Sequence, residues 1–190
     1  MVTLIAEKKI DITLEEFLTF PEEKPAQEYI DNQIIAKPMP QGKHSIIQGE
    51  LVTAINSVVK PKKVALAFPE LRCTFGGKSI VPDIVVLTYD HIPRDENGDI
   101  ANVVSIAPDW IIEILSPDQK NHSMIIKKIL RCLEAGCQLG WIIDPQQKTI
   151  FTYYQQKVTY FDRDEDILPV PDFINNLKLS IADIFSWLKF

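Results

Sequence analysis

The chain has 190 residues, of which 46% are hydrophobic and 24% charged, and this composition is typical of one globular domain spanning residues 1–190. Its 20 basic and 26 acidic residues give a formal net charge of −6, which excludes the class of polybasic proteins that coat nucleic acids. The charge does not exclude nucleic acid as a substrate, because carboxylates that bind a divalent cation carry negative charge where the cation neutralises it.

The first predicted elements are a short helix and a β-hairpin. Thr13 and Glu16 form a capping-box pattern at the start of the helix, and Pro21 is expected to end it. The stretch Gln27–Lys37 resembles two strands separated by the turn residues Asp31–Asn32, and therefore predicts a hairpin.

A longer helix and a group of strands are predicted next. Apolar residues recur at helical spacing over His44–Val58. Three strand-like stretches follow this helix, and a charged surface loop is predicted over Arg94–Asn102. The predicted strands are Val64–Phe68, Arg72–Phe75 and Ile80–Thr88.

The C-terminal half is predicted to alternate apolar strands with helices. Gly136 is expected to end the first of these helices, and Ser180 with Asp183 forms a capping box for the last. The predicted elements are a strand at Asp109–Leu115, a helix at His122–Ala135, a strand at Gly140–Ile143, and a hairpin of Thr149–Gln155 with Lys157–Phe161. This order favours an α/β (α+β) fold, with a mixed sheet flanked by helices.

The cysteines and the hydropathy pattern bear on location. Cys73, Cys132 and Cys137 have neither zinc-site nor CxxC spacing, so we expect reduced thiols and a cytoplasmic location. No stretch reaches the roughly 18 apolar residues that span a membrane, so we expect no membrane partner.

Two carboxylates interrupt the most apolar strands. Asp83 lies in VPDIVVL, where strand alternation predicts a face shared with Val81, Val85 and Leu87. Glu113 lies in WIIEIL, on the predicted face of Ile111 and Leu115. A shared divalent cation such as Mg²⁺ explains both residues, because burying an unpaired charge is unfavourable and hard cations take oxygen ligands.

Purely structural roles remain open for both carboxylates. An Asp after a proline can accept hydrogen bonds from backbone N–H groups at a strand end, and Glu113 can pair with a basic side chain.

A lysine on the following helix is a third candidate. Ile125, Ile129 and Cys132 belong to the apolar stripe of this helix, and Lys128 lies on its flank. Lys128 can therefore extend toward the carboxylates, whereas Lys127 points to solvent. The alternative is that Lys128 is an ordinary solvated lysine.

An ordered series of motifs resembles one family. VPDIVVL, EILSP, the helix KKILRCLEAG and GWIIDP are similar to the Uma-type, restriction-endonuclease-like family of the PD-(D/E)XK nuclease superfamily, frequent in cyanobacteria. The likeness extends from about Pro21 through Tyr160 and includes EYIDNQIIAKPMPQGKHSIIQ and FPELRCTFGG. It implies a restriction-endonuclease-like core with an N-terminal hairpin extension.

The resemblance assigns roles to the three candidates. It implies that Asp83 and Glu113 bind Mg²⁺ or Mn²⁺ and that Lys128 is catalytic. The chain departs from the superfamily pattern at Leu115, where the pattern has lysine; Lys128 matches the place to which this lysine has migrated in related nucleases.

Further residues are weaker candidates. Glu28 in the hairpin and His44 at the start of its helix could contact the metal or a phosphate. The alternatives are that Glu28 forms a structural ion pair and that His44 is a satisfied helix-end residue. Glu50, on a flank of the same helix, has less support, and Glu70 and Arg72 could line the cleft, although no local pattern decides this.

Three functional hypotheses follow. The first is a metal-dependent endonuclease that hydrolyses phosphodiester bonds in DNA. The second is a catalytically degenerate module that binds or interacts without chemistry, motivated by Leu115 and the acidic net charge. In the third, the C-terminal helix with Trp187, Leu188 and Phe190 forms a homodimer interface, although covering its own sheet is equally compatible with this pattern.

Overall fold

Two β-sheets with helices packed on them form the part of the chain that the structure, a computed structural model, describes: residues 12–117, 122–155, 157–174 and 176–189. The helices are α1 (Leu14–Leu18), α2 (Gly42–Val59), α3 (His122–Glu134) and α4 (Ile181–Ser186), with a 3₁₀ turn at Asp172–Ile174. The strands are β1 (Gln27–Ile30), β2 (Gln33–Ala36), β3 (Ala65–Pro69), β4 (Cys73–Phe75), β5 (Lys78–Ile80), β6 (Ile84–Thr88), β7 (Trp110–Ile114), β8 (Leu139–Asp144), β9 (Thr149–Tyr154) and β10 (Lys157–Phe161).

The larger sheet has the strand order β10-β9-β8-β7-β6-β3. Its β7 and β8 are parallel and are joined by α3, while the other neighbouring pairs are antiparallel. α2 and α4 contribute to the apolar core on one face, and α3 and the smaller sheet contribute to the core on the other. The predicted α/β (α+β) class, with a mixed sheet flanked by helices, is confirmed.

The smaller sheet has the order β2-β1-β5-β4 and contains the predicted N-terminal hairpin. Asp31 and Asn32 have φ values of 51° and 59°, as a two-residue turn with a twist matching the strands requires. The hairpin is therefore specified locally, by residues that tolerate the left-handed region.

The predicted strand Ile80–Thr88 is wrong, because the chain bends between β5 and β6 and the two strands belong to different sheets. Pro82 has no N–H to donate to a ladder, and the Val81 N–H binds the Glu28 side chain instead, at 2.7 Å. Asp83 therefore lies in a bend at the junction of the sheets, not on a strand face shared with Val81, Val85 and Leu87.

Glu113 occupies the predicted position on β7. The face that it shares with Ile111 and Leu115 is covered by α3, whose buried residues include Ile125 and Ile129. This prediction held because β7 is regular over its whole length, so the side chains alternate strictly between the two faces.

The predicted helix ends are largely confirmed. Capping boxes start α1 at Thr13 and α4 at Ser180, and Gly136 with φ 101° follows α3. However, α1 ends at Leu18, before Pro21.

The C-terminal helix packs on the core of its own chain. Ile184 and Phe185 of α4 are buried there, and Trp187 and Leu188 pack against the same cluster. Phe190 lies outside the described residues. The homodimer hypothesis therefore gains no support from an uncovered apolar face on this helix.

The cysteines are free thiols buried in the protein. Burial raises the pKa of Cys73 and of Cys137 to about 12. Within the described ranges, we find no helix with the length and apolar character needed to cross a membrane.

Candidate active site

A cavity of about 170 Å³ lies at the junction of the two sheets and is lined by all five predicted site residues. These residues come from β1, α2, the bend before β6, β7 and α3. They are Glu28, His44, Asp83, Glu113 and Lys128, and each is at most 5% exposed. The tertiary structure thus brings polar groups from distant segments together around one cavity.

Both carboxylate oxygens of Asp83 contact polar groups of the protein. The Lys37 ammonium donates to Oδ1 at 2.7 Å, while the Ile114 N–H donates to Oδ2 at 2.7 Å and His44 Nε2 lies 3.1 Å from Oδ2. The Gln48 side chain donates to the Asp83 carbonyl at 2.7 Å and so anchors the bend. Burial opposes the charge of Asp83, but Lys37 and His44 outweigh it and hold the pKa of this carboxyl well below its usual range.

Glu113 and Glu28 share the Lys128 ammonium. Lys128 Nζ lies 2.8 Å from Glu28 Oε1 and 2.9 Å from Glu113 Oε1. The contact with Glu113 is an ion pair without hydrogen-bond geometry, since Glu113 Oε1 is buried and finds no hydrogen-bond partner among the described residues. Burial raises the pKa of Glu113 to about 7 against the opposing effect of Lys128. Burial disfavours the charge on Lys128, but Glu113 and Glu28 raise its pKa above the ordinary value.

Lys128 is buried because α3 lies close to the larger sheet. Gly140 on β8 permits this approach: a Cβ added there would lie 2.4 Å from the Ile129 side chain. Ile129 directly follows Lys128, and Glu113 lies on the neighbouring strand β7, so the close approach of α3 at Gly140 is compatible with the contact between Lys128 and Glu113. The alternative of a solvated Lys128 is wrong, whereas Lys127 is exposed as predicted.

The chemistry of the donor set fits a hard divalent cation. Within the part of the chain that the structure describes, three carboxylates and two ammonium groups give the cluster one net negative formal charge, and Glu113 Oε1 has no hydrogen-bond donor. Across the described residues, no three His, Cys, Asp or Glu side chains form a complete metal cage. Mg²⁺ does not need one, because it is usually bound by one or two carboxylates together with waters and substrate phosphate. The cavity has room for such waters, each of which needs about 10–15 Å³.

Comparison with known proteins defines the family. The model of the Uma2 family, described as a putative restriction endonuclease, matches residues 14–182. The chain belongs to the Uma2 family. The resemblance inferred from the motifs is thereby confirmed.

A solved structure supports the same relationship. A putative nuclease from Anabaena variabilis, for which a crystal structure exists, has 59% sequence identity to this Uma2 chain. The two structures align with a TM-score of 0.92. The match covers 94% of this chain and 99% of the Anabaena chain, and confirms the restriction-endonuclease-like fold. No curated protein sequence matches this chain.

Two residues around the site of this Uma2 protein were missed by sequence reasoning. Gln48 lies four residues after His44, so helical spacing could have placed the two on one side of α2. Lys37 follows β2 in an irregular segment and reaches Asp83 across 46 residues of sequence, so no local pattern identifies it.

Other weak candidates are not brought into the cavity. Glu50 is exposed, and Glu70 is exposed with only its N–H reaching the Asp83 carbonyl, at 3.1 Å. Arg72 donates to Glu22 at 2.9 Å and lies over the Phe17 ring. None of these three residues lines the cavity.

Proposed function

We propose that the protein is an endonuclease that hydrolyses DNA phosphodiester bonds with the aid of Mg²⁺ or Mn²⁺. The observation that carries the proposal is the convergence of Asp83, Glu113 and Lys128 on one cavity, although the bend before β6, the strand β7 and the helix α3 supply them. Membership of a family described as putative restriction endonucleases supports the same function.

In this proposal Asp83 and Glu113 hold the divalent cation, with the Ile114 carbonyl as a further ligand. When bound, the cation supplies a Lewis acid for the phosphate and an activated water. The Ile114 N–H and His44 orient the Asp83 carboxylate through their contacts with Oδ2. Preorganised ligands of this kind reduce the rearrangement needed when substrate binds.

Lys128 supplies positive charge to the reacting phosphate. Its ammonium lies beside Glu113 and is kept in place by Glu28, which in turn accepts the Val81 N–H. A fixed cation at the position where negative charge develops stabilises the pentavalent phosphorane. Glu28 thus acts as a positioning residue for the lysine.

Plasmid cleavage tests the proposal. We expect the purified protein to convert supercoiled plasmid to nicked or linear forms with Mg²⁺ or Mn²⁺ and not with EDTA. Glu113→Gln should lose at least 100-fold in rate, which is typical for loss of a group acting in the transition state. Glu50→Gln, an exposed change of the same type, should cleave like the wild type. Failure to cleave with either metal, or full activity in Asp83→Asn, would refute the proposal.

A catalytically degenerate binding module is the second candidate function. It is favoured by the engagement of both Asp83 oxygens by protein groups and by Leu115 in place of the usual lysine. Calorimetry separates the two functions: an endonuclease binds Mg²⁺ with a heat signal that disappears in Asp83→Asn, whereas the degenerate module binds no Mg²⁺ through its carboxylates.

A cytoplasmic location belongs to the same proposal, because the free thiols fit a reducing compartment. A homodimer remains a hypothesis, and light scattering of the full chain at two concentrations tests it.

A further inference from the structure

Lys37 is a largely enclosed cation that contacts the proposed metal ligand Asp83. We infer that Lys37 is the second cation of the site: its ammonium competes with a divalent ion for Asp83, so that the site takes one ion and not two. The inference rests on the proposed function and adds to it the number of metal ions per chain.

The contacts of Lys37 place its charge on the proposed metal ligand. Its Nζ lies 2.7 Å from Asp83 Oδ1 and 2.7 Å from the Val81 carbonyl oxygen, and its side chain is only 10% exposed. Its backbone N–H donates to the Ala26 carbonyl at 2.8 Å, which fixes the base of the side chain at the end of the hairpin. The ammonium is thus held against one carboxylate oxygen of the proposed metal ligand.

The two lysines of the site respond differently to an ion at the carboxylates. Lys128 contacts two carboxylates, so it keeps Glu28 as a partner when an ion binds Glu113. Among the described residues, Lys37 contacts one carboxylate and one neutral carbonyl. When an ion takes Asp83, Lys37 therefore loses its counter-charge, but the Val81 carbonyl still holds it in the cavity, where its charge is available to a phosphate.

The charge balance of the cluster admits one divalent ion. Among the described residues, and with Glu113 ionised as binding an ion requires, Glu28, Asp83 and Glu113 oppose Lys37 and Lys128, which leaves one negative charge. One divalent ion and one phosphodiester bring the cluster to neutrality. A second divalent ion would leave two uncompensated positive charges in a buried site, where like charges a few ångströms apart repel strongly. Lys37 thus supplies the charge that a second ion would otherwise bring.

Titration of the chain with Mn²⁺, followed by the electron paramagnetic resonance signal of the free ion, tests the inference without measuring cleavage. We expect the wild type to bind one Mn²⁺ per chain. Lys37→Met should bind Mn²⁺ at least tenfold more tightly, because the competing ammonium is gone. Lys127→Met, which removes the same charge from an exposed position on α3, should match the wild type within twofold.

The outcomes distinguish this inference from the proposed function. Two ions per wild-type chain, or a folded Lys37→Met that binds Mn²⁺ no more tightly than the wild type, overturns the role of Lys37 and leaves the nuclease proposal standing. No binding by the wild type overturns the proposed function, and this inference with it. If Lys37→Met does not fold, the wild-type stoichiometry decides: one ion supports the inference and two overturn it.

Discussion

Replacing Lys128 by methionine tests how the buried charge cluster contributes to stability. The substitution keeps the length and apolar stem of the side chain and removes the ammonium that lies within 2.9 Å of both Glu28 and Glu113. Removal of one partner of a buried ion pair typically costs about 3–5 kcal/mol, because the remaining charge is left uncompensated. We expect a loss of this size at pH 8, equivalent to a drop in Tm of roughly 6–20 °C for a chain of this length.

The loss should depend on pH through Glu113. The folded-state pKa of Glu113, about 7, is raised above its ordinary value of 4.5, so the folded state binds this proton more tightly than the unfolded state. The stability that the proton confers is present below about pH 4.5 and is lost as the pH rises through 7. Without Lys128 the folded-state pKa rises further, and at pH 5 Glu113 is neutral and needs no counter-charge. The loss at pH 5 should therefore be smaller than at pH 8 by about 1 kcal/mol or more.

Urea unfolding at both pH values, with EDTA present, measures these differences. Lys127→Met is the matched control and should stay within about 0.5 kcal/mol of the wild type, because Lys127 is exposed. Adding Glu113→Gln to Lys128→Met should recover part of the loss at pH 8. A loss below about 1 kcal/mol at pH 8, or equal losses at both pH values, would show that Lys128 is not the counter-charge of these carboxylates.

Three further predictions concern packing, thiols and capping. Gly140→Ala should destabilise the protein by about 1–3 kcal/mol in urea unfolding, because the new Cβ would lie 2.4 Å from Ile129. Gly49→Ala, where the new Cβ meets no atom of the described residues within 4 Å, should be neutral or stabilising. Equal effects of the two substitutions would contradict the close approach of α3. The buried thiols should resist a disulfide reagent at pH 8 until denaturant is added, and rapid labelling of the native protein would show that the cysteines are accessible. Ser180→Ala should destabilise the protein by about 1 kcal/mol through loss of the α4 capping box, and a Tm unchanged from the wild type would show that the box adds no stability.

Local sequence patterns were sufficient for most of the elements. The Asp31–Asn32 turn, the capping box at Ser180 and the position of Glu113 on β7 depend on residues close to one another in sequence. Hydrogen-bonding side chains, left-handed conformations and strand alternation operate over a few residues, and the sequence displays them directly. The same reasoning failed at Pro82, where a run of apolar residues resembles one strand although the chain passes from one sheet to the other.

The sequence by itself determined which residue types are available for chemistry and which local segments carry them, including Asp83, Glu113 and Lys128. Only the tertiary structure decided how the charges pair: Lys37 with Asp83, and Lys128 with both Glu28 and Glu113. The physical reason is that these pairings depend on the bend between the sheets and on the close approach of α3 at Gly140. The formal charge of −6 likewise gives no indication that five of the charged side chains form one buried cluster, because composition counts charges without recording which of them are in contact.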